Sequence, residues 1–132
     1  MAKKIIHTAG KRKRAIARAT LYEGSGVVRM NGVLLDIYHP RMLRLKLQEP
    51  LILAKEDAAK VDIMIKVQGG GQTSQIEAAR LAVGRALTKY NKKLELVFLK
   101  YDRNLLVADV RRKEPCKPND SKARAKRQKS YR

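Results

Sequence analysis

The distribution of charge along this chain sets the strongest limit on what it can fold into. Among 132 residues, 31 are Lys or Arg and 12 are Asp or Glu, a formal net charge of +19. Residues 1–18 hold seven basic side chains and no acid, residues 19–110 hold fourteen basic and ten acidic, and residues 111–132 hold ten basic and two acidic. Only the middle has the balance of an ordinary soluble domain, while each end repels itself unless a polyanion is near. The expected organisation is one globular body over 1–110 and an extended basic tail over 111–132, since the length suits a single domain. With one Phe, five Tyr and no Trp, the core must be aliphatic.

Periodicity places the elements of the body. After a short apolar start at Ile5 and Ile6 comes the basic cluster Lys11, Arg12, Lys13 and Arg14. Ala15 to Tyr22 then reads as a strand with Ala15, Ala17, Ala19 and Leu21 on one face and Ile16, Arg18, Thr20 and Tyr22 on the other. Val27 to Met30 and Val33 to Leu35 form a hairpin about Asn31-Gly32, the pair that a tight two-residue turn with positive φ prefers. Arg41 to Gln48, between Pro40 and Pro50, predicts a short helix with Met42, Leu45 and also Leu43 and Leu47 as its apolar positions. Val61 to Val67 alternates cleanly as a half-buried strand. Ser74-Gln75-Ile76-Glu77 has capping-box spacing ahead of the main helix, whose stripe runs Ile76, Ala79, Val83, Ala86, Leu87 and Tyr90. Leu94 to Tyr101 adds a shorter helix, and Leu105 to Ala108 is either helical or extended. From Arg111 apolar periodicity ends, so the tail has nothing to offset the entropy of ordering by itself. Extended, the 14 residues from Asn119 to Arg132 reach at most about 45–50 Å.

The chemistry these residues support is phosphate binding. A charge run is usually a solvated face, but two runs at opposite ends fit a nucleic-acid partner, where each neutralised phosphate releases counterions. Gly69, Gly70 and Gly71 precede a helix N-terminus. Two readings stay open for them: a sharp strand-to-helix turn, or backbone N–H contact to phosphate. They are not a nucleotide-binding loop, which needs Gly-Lys-Ser/Thr, and Gly24-Ser25-Gly26 misses the dinucleotide fingerprint because residue 29 is Arg. Cys116, His7 and His39 are too few and scattered for a metal site, and no nucleophile elbow or paired carboxylates stand out. The expectation is therefore no enzyme, no cofactor, no metal and no small-molecule substrate. One cysteine fits a reducing compartment, and with no signal-like or spanning apolar run the expected location is the cytoplasm, away from a membrane. A free-standing DNA-binding module has the charge but lacks a groove-reading motif, and an enzyme acting on RNA has the least support.

Five stretches together resemble the small-subunit ribosomal protein nine family, numbered sixteen in eukaryotes: Gly10 to Arg18, Gly26 to Gly32, Val67 to Leu87, Asp109-Val110-Arg111, and Lys122 to Arg132. The ending Ser130-Tyr131-Arg132 is similar to the archaeal and eukaryotic branch. Two positions depart from the bacterial pattern: Ser74 where glycine is common, and Tyr131 where lysine is common. The resemblance implies an α+β fold, a mixed β-sheet packed on helices like domain 2 of ribosomal protein five. It also implies binding to the 3′ major domain of the small-subunit ribosomal RNA, beside other proteins of the subunit head, and a tail whose tip approaches the anticodon stem-loop of P-site transfer RNA. Lys11, Arg12, Lys13, Arg14, Arg18, Gly69, Gly70, Gly71, Arg111, Arg112, Lys113, Lys122, Arg124, Lys126 and Arg127 are the expected ribosomal RNA contacts. Ser130 and Arg132 match tip positions near transfer RNA, with Lys129 as a neighbour.

Overall fold

A computed structural model of the chain describes residues 5–118, 123–124 and 130. Five strands form one mixed sheet: β1 (Ile6–Arg12), β2 (Ala15–Glu23), β3 (Val28–Met30), β4 (Val33–Leu34) and β5 (Val61–Gln68). Their order is β1-β2-β5-β3-β4, antiparallel except that β3 runs parallel to β5. Four helices accompany them: α1 (Arg41–Leu53), α2 (Lys55–Ala58), α3 (Gln72–Tyr90) and α4 (Leu94–Tyr101). The α+β class expected from the sequence is therefore present.

Strict alternation drives the sheet. Ala15, Ala17, Ala19 and Leu21 of β2 and Val61, Ile63, Ile65 and Val67 of β5 are all buried on one face, as their period of two requires. Helix α3 lies across that face against β1 and β2. Small residues set the spacing: a Cβ on Gly10 would stand 2.1 Å from the Ala78 carbonyl oxygen and 2.8 Å from the Ala82 nitrogen. Beside it Thr8 donates its hydroxyl to the Ala82 carbonyl at 2.8 Å, so the one buried polar side chain among the described residues is satisfied. On α3 the buried set includes Ile76, Ala79, Val83, Ala86 and Leu87 of the expected stripe, with Tyr90 half-buried, and also Ala78, Leu81 and Ala82, because β1 packs closely on one side of the helix while α1 and α4 contact it as well. Phe98 of α4 and Leu105 are fully buried in the same core.

Several boundaries differ from the sequence reading. Strand β1 was hidden by its composition: His7, Ala9 and Lys11 face outward between Ile6, Thr8 and Gly10, so neither face has a hydrophobic row. Its connection to β2 is a two-residue turn, Lys13-Arg14, with Lys13 at φ +53°, where glycine or asparagine would be the usual signal. Asn31 and Gly32 take the expected positive φ, but Leu35 leaves the strand for a 3-10 turn (Leu35–Ile37) and turns inward. Asn31 also mimics strand pairing, accepting from Val67 N at 2.9 Å and donating to Val67 O at 3.3 Å.

Helix α1 runs to Leu53 with Pro50 inside it, five residues past the expected end. Its buried positions are Leu47 and Pro50, with Leu43, Leu51 and Leu53 half-buried, whereas Met42 and Leu45 are exposed. The apolar face of α1 is thus rotated from the one expected, since an eight-residue window stopping short of Pro50 omits the residues that complete the stripe. Helix α3 starts three residues earlier than the capping box implies. Its N-cap is Gly71, with no side-chain cap, and Ser74 sits within the first turn. The stretch after α4 resolves as a 3-10 turn, Arg103–Leu105, capped by Asp102 accepting from Asn104 N at 2.9 Å.

Substituting Gly10→Val should destabilise the body by about 1–3 kcal/mol or more, because the added atoms meet helix backbone that cannot swing aside. Denaturant unfolding followed by circular dichroism reads this directly, and unchanged stability would contradict the packing described for β1 on α3.

Candidate nucleic-acid interface

Three segments far apart in sequence converge at one end of α3. The β1–β2 turn brings Lys13 and Arg14, the β5–α3 turn brings Gly70, Gly71 and Ser74, and the chain leaving the core brings Arg111, Arg112, Lys113, Glu114, Pro115 and Cys116. Together they line an open groove of about 720 Å³. Lys13, Arg14, Arg112 and Lys113 are exposed, and none has a carboxylate within 4.0 Å among the described residues. The uncapped first turn of α3 opens at the same place, adding free N–H groups and the positive end of the helix dipole. Cations without a carboxylate partner among the described residues, beside oriented N–H groups, make a surface suited to phosphate oxygens.

The glycines divide in role. Gly69 and Gly70 have φ of +76° and +65°, and a Cβ on Gly69 would stand 2.7 Å from the Arg14 carbonyl oxygen. The turn reading therefore has a structural cause at these two: the strand-to-helix turn must pass directly beneath the hairpin. Gly71 has open space where a Cβ would be, which leaves its surroundings free for a ligand. Gln75 ties the turn to the helix by donating Nε2 to the Gly69 carbonyl at 3.1 Å.

The basic residues of this region divide the same way. Arg12 is turned inward on β1 with its side chain only 14% exposed, donating Nε to Glu77 at 2.7 Å and placing Nη1 3.0 Å from Asp109. Its charge is matched inside the body. Arg80 does likewise, held between Asp102 at 2.9 Å and Glu49. Both pairs border a small charged cleft between α1, α3 and the chain after α4. Arg18 is separate, exposed on the sheet face away from α3, in register with Lys66. Lys11 also faces outward on β1.

Asp109 fixes the direction in which the chain leaves. It accepts from Arg111 N at 3.0 Å and from Arg111 Nη2 at 2.7 Å while facing Arg12. These hydrogen bonds from the Arg111 guanidinium and N–H, more than the nearby positive charge, hold its carboxyl well below the usual range. Arg85 reinforces the path by donating to Leu106 O at 3.0 Å and Ala9 O at 2.9 Å. Arg112 then donates to the Lys13 carbonyl, so the root of the tail is fastened to the hairpin tip. Sequence reading singled out Asp109-Val110-Arg111 only by resemblance. The roles of Glu77 and Arg85 and the pairing of Asp109 with Arg12 carry no local signal, because those partners lie 21 to 97 residues away.

Further along, Arg124 is exposed and pairs with Glu114 at 2.9 Å, and Ser130 is exposed. Lys122, Lys126, Arg127, Lys129 and Arg132, together with the tail path, lie outside the described residues. Among the described residues no helix is long and apolar enough to cross a membrane.

The chain matches known proteins over nearly its whole length. Residues 10–132 match the family model described as ribosomal protein S9/S16. The chain is 51% identical to the small ribosomal subunit protein uS9 of Methanococcus vannielii, covering 98% of this chain and 99% of that one. It is 52% identical, with the same coverage, to the protein of that name from Methanococcus maripaludis strain C7. With a match spanning nearly the whole length, the chain belongs to the ribosomal protein S9/S16 family, in an archaeal-type branch, and is a structural, non-enzymatic constituent of the small subunit of the cytoplasmic ribosome.

Proposed function

We propose that the groove beside the N-terminus of α3 binds ribosomal RNA of the subunit head, in the 3′ major domain, and that residues 111–132 continue from it as a basic tail toward the P-site transfer RNA. The observation that carries this reading is the convergence of Lys13, Arg14, Gly71, Arg112 and Lys113 on one unpaired cationic groove. Family membership supports the choice of RNA over duplex DNA. Lys13, Arg14, Arg112 and Lys113 are the phosphate-contacting groups of the body, with Gly71 supplying backbone N–H. Arg12, Gly69 and Gly70 shape the surface, and Arg111 aims the tail through Asp109.

The mechanism is positioning, with no bond made or broken. Phosphate contacts set register and hold strands together without reading sequence. Arginine adds two-point hydrogen bonding to phosphate that lysine cannot form. On the tail, Lys122, Arg124, Lys126 and Arg127 neutralise closely spaced RNA strands. Lys129, Ser130 and Arg132 at the tip contact the anticodon stem-loop, with Tyr131 available for stacking or a hydroxyl contact. Neighbouring head proteins complete the surroundings.

Replacing Lys13, Arg14 and Arg112 together by Gln should weaken binding to head-domain ribosomal RNA and reduce the slope of log K against log salt by about 2–3, at roughly 0.7–0.9 per phosphate contact. Filter binding between 50 and 300 mM salt measures it, and an unchanged slope would remove the groove from the interface. Deleting residues 129–132 should leave subunit assembly nearly intact while P-site transfer RNA binding falls, as read by sedimentation and a transfer RNA retention assay. Equal retention would count against the tip assignment.

The Asp109 anchor has its own signature. Because its carboxyl is held low, the stabilisation it gives is present above the ordinary carboxylate range near pH 4 and is lost as pH falls through the lowered value. Trypsin cleavage after Arg111 and Arg112, corrected for the enzyme's own pH profile, should therefore be slow and flat from pH 6 to 8. Asp109→Asn should make it several-fold faster throughout, and equal rates would show that the anchor does not hold.

A further inference from the structure

The sheet has a second face that no described helix covers. Across it run His7, Ala9 and Lys11 of β1, Ile16, Arg18, Thr20 and Tyr22 of β2, Met64, Lys66 and Gln68 of β5, and Arg29 of β3. Register places Ala9, Arg18 and Lys66 in one row and His7, Thr20, Met64 and Arg29 in the next. Lys11, Arg18, Arg29 and Lys66 are all exposed, and none has a carboxylate within 4.0 Å among the described residues.

Two features separate this face from an ordinary solvated one. Arg18 and Lys66 stand directly opposite each other on adjacent strands, where like charges destabilise a sheet and opposite charges would have been favourable. Nothing on the same face compensates. The one acid there, Asp62, is engaged at its edge, its Oδ1 accepting the N–H groups of Ser25 and Val27 at 2.8 Å each to hold the turn before β3. The only side-chain hydrogen bond on the rest of the face among the described residues joins His7 Nδ1 and Thr20 Oγ1 at 3.1 Å.

We infer that this open sheet face is a second RNA-docking surface, which takes the phosphate backbone of an RNA segment other than the one in the groove. The inference rests on the reading of the chain as an RNA-binding protein of the ribosome. Charge complementarity selects the occupant: an anion bridging Arg18 and Lys66 relieves their repulsion, and Arg29 and Lys11 add cations in the rows on either side of theirs. Half-buried Ile16 and Tyr22, with exposed Met64 between the cations, offer apolar surface to ribose and base faces. The face also meets the groove at the hairpin tip, since β1 and β2 carry both Lys11 and Arg18 on this side and Lys13 and Arg14 at the turn. The hairpin thereby stands between two RNA segments, one held on the helix side of the sheet and one on the open side. Such a two-sided contact joins RNA segments that repel each other, in addition to holding the protein in place.

The test uses the full chain and small-subunit ribosomal RNA, comparing Arg18→Gln/Arg29→Gln/Lys66→Gln with the groove variant Lys13→Gln/Arg14→Gln/Arg112→Gln. The sheet variant should lower the salt slope by about 2–3, at roughly 0.7–0.9 per contact. It should also lose backbone protection in hydroxyl-radical footprinting at nucleotides different from those lost with the groove variant. Thermal unfolding should be unchanged or slightly higher, because a repulsive pair has been removed. Lys66→Gln alone, which keeps Arg18 in place, should lower the slope by about one and serves if the triple variant folds poorly. If the sheet variants keep slope and footprint while the groove variant loses them, this surface does not touch RNA and the groove reading stands. If neither set changes either readout, both fail. Loss of an acidic protein partner with RNA footprints intact would likewise overturn the inference.

Discussion

The close approach of α3 to the β1–β2 hairpin governs the rest of this structure. Glycine and alanine line both sides, with Gly10, Ala15, Ala17 and Ala19 on the sheet and Ala78, Ala79 and Ala82 on the helix, and side chains this small allow backbone to lie almost on backbone. The helix N-terminus then falls beside the hairpin tip, and the turn that feeds it must pass under Arg14. One packing distance in an aliphatic core thus decides where the cationic groove forms. A larger residue at Gly10 would separate the elements that make the surface, although it touches none of the groove's own side chains.

Charge is handled in two ways, and the difference is functional. Arg12 and Arg80 are largely buried and each faces two carboxylates, so their guanidinium groups fasten β1, α1, α3 and the tail root to one another. Removing one partner of such a pair strands the other, which makes these residues structural even though they are as cationic as any. Lys13, Arg14, Arg18, Lys66 and Arg112 have no such partners among the described residues. Their mutual repulsion is a cost in the free protein that a bound polyanion would offset, and such a difference between bound and free states would tie the proposed binding to salt. The ten acids of the middle segment are largely consumed in holding the body together, which keeps the outer surfaces cationic.

Fold and site were legible to different degrees. Strands β2 and β5 and helix α3 could be read because an alternating or 3.6-residue pattern is fixed by which face is buried, and the burying elements are strongly apolar. Strand β1 escaped because glycine, threonine and alanine replaced the hydrophobic row, and its turn escaped because Lys13 adopts a positive φ without being glycine or asparagine. The end of α1 was misplaced because Pro50 lies in the buried stripe rather than after it. For the site, the basic clusters were visible as composition, but Arg12 could not be told from Lys13. Arg12 ends β1 and Lys13 opens the turn, and only the position of Glu77 and Asp109 makes Arg12 an internal brace.

The sequence alone determined the division into a balanced middle and cationic ends and the class of the fold, and it pointed toward a polyanionic partner, because charge balance and hydrophobic period are properties of the local chain. Only the tertiary structure decided which of the described cations lack a carboxylate partner, how Asp109 is set against Arg12, and that the hairpin, the triple glycine and the chain after Val110 share one groove. Those outcomes depend on contacts between residues as many as 99 positions apart, as with Arg112 and Lys13. Such contacts follow from the packing of α3 on the sheet, which no stretch of sequence encodes by itself.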